Sequence, residues 1–109
     1  MNCVFCRIAR HEEPTQIVFE DDEVVAFRDL YPQAPVHILL APKEHIGTLN
    51  DFSSEQAALL GRLVLAAKQL AEKEGISTAY RLQTNVGRSA GQTIFHFHFH
   101  LLGGRRMSP

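Results

Sequence analysis

Between Ile94 and Leu102 the chain reads IFHFHFHLL, with apolar residues and histidines in strict alternation. Successive side chains of an extended strand point to opposite faces. The spacing therefore predicts a strand in which Phe95, Phe97, Phe99 and Leu101 face a core. His96, His98 and His100 then share the opposite surface, held in a row by the anchored aromatics.

The remaining elements follow from punctuation. IVFE (17–20) and EVVAFRD (23–29) are rich in β-branched and aromatic residues around Asp21 and Asp22, a hairpin pattern. Pro32 and Pro35 bound a loop, and VHILLA (36–41) reads as a third, mostly buried strand closed by Pro42. Ser53 and Gln56 form a capping-box pair ahead of Leu59, Leu60, Leu63, Val64, Ala67 and Leu70, which keep helical spacing until Gly75. TAYRLQTN (78–85) predicts a further strand, joined to the histidine strand by the glycine-bearing VGRSAGQ, and VFCRIARH near the N-terminus predicts a short helix. The sum is one α+β domain over residues 1–109, a five-stranded, mostly antiparallel sheet with one long and one short helix on one face.

Net charge is −1 across 109 residues, which gives no basic excess for nucleic acid or a membrane surface and favours a small-molecule partner. No stretch approaches the roughly 20 apolar residues of a membrane span, and the first residues do not read as a leader, so the expected compartment is the cytoplasm. The two cysteines, Cys3 and Cys6, have C-x2-C spacing, which in a reducing compartment suggests metal binding, a plain reduced pair or a redox motif. A redox pair of the thioredoxin kind would need a βαβ unit, and none precedes it.

Histidines two apart on a strand are separated by roughly 6.5–7 Å, against zinc–nitrogen bonds of about 2.0–2.1 Å. One metal does not hold all three, and the rings have separate tasks. A neutral imidazole with one nitrogen tied to a backbone carbonyl presents the other to an electrophile. Ahead of the strand, Gly87 and Gly91 permit close backbone approach to an anion, with Gln92 and Thr93 as polar donors.

The motifs QTIFHFHFHLL, FEDDEVVAFRDLYPQAPVHILLAPKEHI and NVGRSAGQTIFHFHFHLLGGR together make the chain resemble the histidine triad family, in particular its Hint branch of nucleoside phosphoramidate hydrolases. The neighbouring fragile-histidine-triad branch splits dinucleoside polyphosphates; Asn85 and Gly103-Gly104-Arg105 favour Hint. The resemblance implies that His98 attacks the α-phosphorus of a purine nucleotide and that His100 hydrogen-bonds the phosphate. It implies that His37 supports the proton network, that Asn85 and Thr93 contact phosphate and leaving group, and that Asp29 accepts the ribose hydroxyls. Phe5, Ile8, Phe27 and Leu39 would form the slot for the base, with Glu13 where relatives often carry an apolar residue. Zinc-bearing members of the wider family imply a structural zinc on Cys3, Cys6, His45 and His96. The family also implies a homodimer with joined sheets. The chain has no tryptophan, although relatives often carry one in a C-terminal tail that reaches a neighbouring active site. Dinucleoside polyphosphate hydrolysis and a mainly non-catalytic nucleotide-binding role are the alternative readings.

Overall fold

The computed structural model describes residues 3–109. Helix α1 spans Val4–Ala9 and α2 spans Ala57–Lys73; the strands are β1 (Ile17–Glu20), β2 (Val24–Arg28), β3 (Val36–Pro42), β4 (Tyr80–Gln83) and β5 (Phe99–Gly103). They form one sheet in the order β1-β2-β3-β5-β4, with every neighbouring pair antiparallel. The hairpin between β1 and β2 is closed by Asp21, whose Oδ1 accepts the backbone N–H groups of Glu23 and Val24, each at 2.8 Å. The connection through α2 carries the chain from β3 to the far edge, and β5 then returns between them.

Both faces of the sheet are covered, rather than one. In β2 consecutive residues are apolar, so alternation sends Val24 and Ala26 toward α2 and Val25 and Phe27 toward α1. Phe5 and Ile8 of α1 complete the second cluster with Leu39 and Ala41. A sheet with apolar residues on both sides needs cover on both sides, and α1 supplies it where only the α2 side was anticipated.

Helix α2 begins where the sequence places it. Ser53 Oγ accepts from the Glu55 N–H, and Gln56 Oε1 accepts back from the Ser53 N–H at 2.8 Å, closing the capping box over a short 3-10 turn. The buried stripe is Leu59, Leu63, Ala66, Ala67, Leu70 and Ala71. Val64 stands 41% exposed and Leu60 is only partly covered. Alanines at 66, 67 and 71 bring the helix close to the sheet, which rotates the contact face away from Val64. The helix closes ahead of Gly75, at φ +77°.

The histidine segment departs from a simple strand. Ladder pairing runs from Leu40↔Phe99 to Val36↔Gly103, so residues 94–98 lie outside β5. Continuing the register would set Phe97 opposite Pro42, which has no N–H to donate. Other groups hold the extended backbone instead: the Phe97 N–H bonds the Ile46 carbonyl, and the Thr84 hydroxyl donates to the His98 carbonyl at 2.8 Å. Phe97, Phe99 and Leu101 belong to the α2-side core as alternation predicts. Phe95 does not, being 43% exposed. β4 is likewise shorter than the predicted 78–85.

The two glycines after β5 have different reasons. A Cβ at Gly103 would lie 2.6 Å from Ile76 Cδ1, and Gly104 adopts φ +93°, where side chains are strained. Phe97 is 1% exposed and stacks edge-on against Phe52 and Phe99. Phe97→Ala should cost about 3–5 kcal/mol in chemical denaturation; a loss under 1 kcal/mol would show that the histidine segment is not anchored through this ring.

Candidate active site

His37 on β3 projects to the α1 face with Leu39, and His96, His98 and His100 project to the same face from the last segment. His96 is fully buried, His37 nearly so, and the other two half-buried. The expectation of an open histidine surface therefore gives way to a row of rings sunk beneath α1.

Backbone groups assign the protons of these rings. A carbonyl can only accept, so a ring nitrogen bonded to one must carry hydrogen. His96 Nε2–H donates to the Pro42 carbonyl at 2.7 Å, leaving Nδ1 bare. His98 Nδ1–H donates to the His96 carbonyl at 2.8 Å, leaving Nε2 bare. An N–H can only donate to a bare nitrogen. The Gln33 N–H reaches His37 Nδ1 at 3.0 Å, which puts the His37 proton on Nε2, 2.9 Å from His100 Nδ1 and 3.3 Å from Asp29 Oδ2. His100 Nδ1 accepts, so its own proton sits on Nε2. Nε2 of His98 is thus bare and faces no protein donor among the described residues, beside the Nε2–H donor of His100, with ring centroids 5.0 Å apart.

Burial holds these rings neutral. It lowers the pKa of His37, His96 and His98 below the ordinary imidazole value, opposed at His98 by the His96 carbonyl and the Asp29 charge. His100 is pushed down to about 4, first by burial and then by the neighbouring His98 and His37.

Beside the row lies a cleft of about 300 Å³. Phe5, Ile8, Phe27 and Leu39 form an apolar wall, and Asp29, Thr93, His98 and His100 a polar one. Glu13 is also at the wall, paired with Arg7 at 3.0 Å. Asp29 Oδ1 accepts the Tyr31 N–H at 2.8 Å, which folds the loop so that Leu30 and Tyr31 line the rim.

Two predicted contacts fall elsewhere. Gln92 is 3% exposed and its amide is spent on the chain: Oε1 accepts the Gly87 N–H, while Nε2 donates to the carbonyls of Gly47 and Ile94. It holds the loop, with both side-chain N–H donors spent on the chain. Asn85 does not line the cleft; its amide lies where a Cβ on Gly91 would meet it at 3.0 Å.

On the other side of His96, four side chains converge. Ligand atoms of Cys3, Cys6, His45 and His96 all lie within 4.8 Å of one another. Cys3 Sγ is 3.4 Å and Cys6 Sγ 3.6 Å from the bare His96 Nδ1, and Cys6 Sγ is 3.3 Å from His45 Nδ1. A tetrahedral zinc with the usual bond lengths has sulfur–nitrogen edges of about 3.5 Å. The soft, mixed donor set and the spacing fit that ion. Burial and the neighbouring Cys3 raise the Cys6 thiol pKa.

What the sequence did not mark are the backbone groups: the Gln33 N–H and the carbonyls of Pro42 and His96. No side-chain pattern signals them. Leu30 and Tyr31 were passed over as loop.

Sequence and structure comparisons give the chain's relatives. Residues 2–109 match the family model described as the scavenger mRNA decapping enzyme C-terminal binding domain. A purine nucleoside phosphoramidase of Escherichia coli K12 is 50% identical over 107 residues, covering 97% of this chain and 90% of its own. A HIT family hydrolase from Legionella pneumophila superposes with a TM-score of 0.96 at 50% identity, covering 98% of this chain and 96% of that one. One from Clostridium thermocellum gives 0.95 at 48% identity, covering 99% and 95%. An antiparallel sheet presenting alternating imidazoles over a nucleotide-sized cleft defines the class, and the chain belongs to the histidine triad family.

The buried imidazoles carry a stability signature. A histidine whose folded pKa lies below its unfolded value of about 6.5 takes up protons on unfolding, so stability is full above that pH and falls as pH drops toward the folded value. For His100 the window is pH 6.5 down to about 4. Denaturation midpoints of metal-free protein should decline through that range, and His100→Asn should make the decline shallower. An unchanged slope would contradict burial of a neutral ring at this position.

Proposed function

We propose that the protein is a nucleotide hydrolase that cleaves purine nucleoside 5′-phosphoramidates through a nucleotidyl-histidine intermediate. One observation carries the reading: His98 has its Nδ1–H committed to the His96 carbonyl, which makes Nε2 the open nitrogen of a ring lining the cleft. Its lone pair forms a bond to the α-phosphorus as the bond to the amine breaks, and the amine leaves with a proton from water. Water then displaces His98 from phosphorus and restores the neutral ring. Dividing one displacement into two is the usual advantage of a covalent route.

The other residues take roles that match their chemistry. His100 Nε2–H donates to a non-bridging phosphate oxygen, its proton position fixed through His37 by the Gln33 N–H. Asp29 retains free lone pairs for the ribose hydroxyls beside its bond to the Tyr31 N–H. Phe5, Ile8, Phe27 and Leu39 enclose the base, and Thr93 contacts the phosphate side. Hydrolysis of dinucleoside polyphosphates is the weaker reading, because among the described residues the arginine or lysine lining this cleft is Arg28, which is paired with Glu74 at 2.9 Å.

Zinc is the ion suited to Cys3, Cys6, His45 and His96, where it would tie α1 to the histidine segment and deprotonate the thiols. Reduced thiols of this kind suit the cytoplasm. Pairing of two copies into one larger sheet is the assembly that we assign.

His98→Ala should reduce turnover of adenosine 5′-phosphoramidate by more than about 1000-fold while leaving AMP affinity within severalfold. Two in-line displacements also require net retention at a chirally labelled phosphorus, and inversion would exclude the covalent route. Protein purified without a histidine tag should hold about one zinc per chain, with a lower melting temperature after chelation. Zinc at only a trace per chain would discard the metal assignment and leave the hydrolase reading untouched.

A further inference from the structure

Gly103, Gly104 and Arg105 lie outside the cleft, yet the turn they form rests on the loop between β2 and β3. Gly104, at φ +93°, sits where a Cβ would stand 3.0 Å from Pro35 Cβ and 3.6 Å from the Val36 nitrogen. Without one, the turn closes onto the loop. Arg105 follows directly, and its Nη2 donates to the Gln33 carbonyl at 2.7 Å, from 72 residues further along the chain. Nη1 of the same guanidinium donates to the Arg106 carbonyl at 3.0 Å, which steadies the side chain.

Gln33 is thereby held at both of its backbone groups, the carbonyl by Arg105 and the N–H on His37 Nδ1 at 3.0 Å. The second bond matters because the His37–His100 pair can be ordered in two ways. With the His37 proton on Nε2, His100 Nδ1 accepts it at 2.9 Å and the His100 proton sits on Nε2. With the His37 proton on Nδ1, its bare Nε2 takes a hydrogen from His100 Nδ1, and His100 Nε2 is left as a lone pair. A lone pair repels a phosphate oxygen where an N–H would bind it. Both orders satisfy the bond between the two rings, so the choice falls to the groups on either side. The Gln33 N–H excludes the second order while it faces Nδ1; the Asp29 carboxylate, at 3.3 Å from Nε2, opposes it through a longer contact.

We propose that Arg105 is a positioning residue for the phosphate-contacting ring: by holding the Gln33 carbonyl it keeps the Gln33 N–H on His37, and so keeps the His100 proton on Nε2. The catalytic consequence rests on the hydrolase reading above, in which that proton meets phosphate. A guanidinium gives a carbonyl a charge-assisted bond, stronger than a neutral donor gives. The loop needs such an anchor, because Tyr31, Pro32, Gln33 and Pro35 are exposed and Ala34 alone among residues 31–35 is buried. Arg105 acts through this loop and not on the nucleotide. Since Asp29 favours the same proton order, loss of the arginine weakens the bias without reversing it.

Nitrogen-15 NMR of the histidine rings in nucleotide-free protein reads the proton order directly, because bare and hydrogen-bearing ring nitrogens resonate in separate ranges. Wild-type protein should show His37 and His100 each bare at Nδ1 and hydrogen-bearing at Nε2. Arg105→Ala, a change at an exposed side chain, should bring averaged shifts at both rings. Its kcat for adenosine 5′-phosphoramidate should fall about tenfold, with KM within about twofold. A cycle with His37→Ala supplies the second measurement: in that background Arg105→Ala should lower kcat by less than about twofold, because the ring it acts through is gone. Unchanged ring shifts in Arg105→Ala overturn the proposal. So does a full tenfold loss that persists without His37, which would place Arg105 on the substrate itself. If wild-type protein fails to hydrolyse adenosine 5′-phosphoramidate, the hydrolase reading fails by itself, and the ring shifts still decide whether Arg105 orders the two histidines.

Discussion

Residue 96 is the joint on which both sites turn. Its ring is fixed between the Pro42 carbonyl on one nitrogen and two thiols on the other, and its own carbonyl fixes the neighbouring ring at 98. One peptide unit thereby sets which nitrogen of ring 96 faces the two thiols and which nitrogen of ring 98 stays open. Rotation of this residue would disturb both. Pro42 takes part twice, by ending the β3–β5 ladder for want of an N–H and by lending its carbonyl to the ring that lies where the ladder would have continued.

The electrostatics follow from depth. Imidazoles on an open strand would titrate near cellular pH, and a protonated ring has no lone pair for phosphorus. Sinking the row beneath α1 keeps it neutral, while backbone groups whose donor and acceptor roles cannot change decide where each proton sits. Thus α1 does three things: Phe5 and Ile8 wall the cleft, the Phe5 ring covers His98 edge-on at 5.0 Å, and the Cys3–Cys6 turn reaches His96. A six-residue helix could not be held there by its own propensity. Packing on Phe27 and Leu39 holds it, and Cys3 and Cys6 bring its start against His45 and His96.

Much of this was legible because the chemistry rests on side chains at regular spacing. Alternation placed His98 and His100 on one face and Phe97, Phe99 and Leu101 on the other, and the capping box placed the start of α2. The side chains of Cys3, Cys6, His45 and His96 converge, across 93 residues from Cys3 to His96. The failures share a cause. Alternation says nothing of where ladder partners run out, so the strand was drawn through 94–98 and Phe95 was placed inside. Gln92 reads as a ligand donor by residue type, but two carbonyls and one N–H of its own chain claim it. Helical spacing admits Val64 and Ala66 alike, and only the close approach of α2 to the sheet selects the alanine.

The covalent role of His98 is tested most directly by trapping the intermediate. Wild-type protein mixed with adenosine 5′-phosphoramidate, quenched within the first turnover and digested at alkaline pH, where phosphorus–nitrogen bonds to imidazole survive, can be mapped by mass spectrometry. The adenylyl group should sit on the peptide bearing position 98, on that imidazole alone. A label on His96 or His100, or brisk turnover with no labelled protein at any quench time, would contradict the nucleophile assigned here.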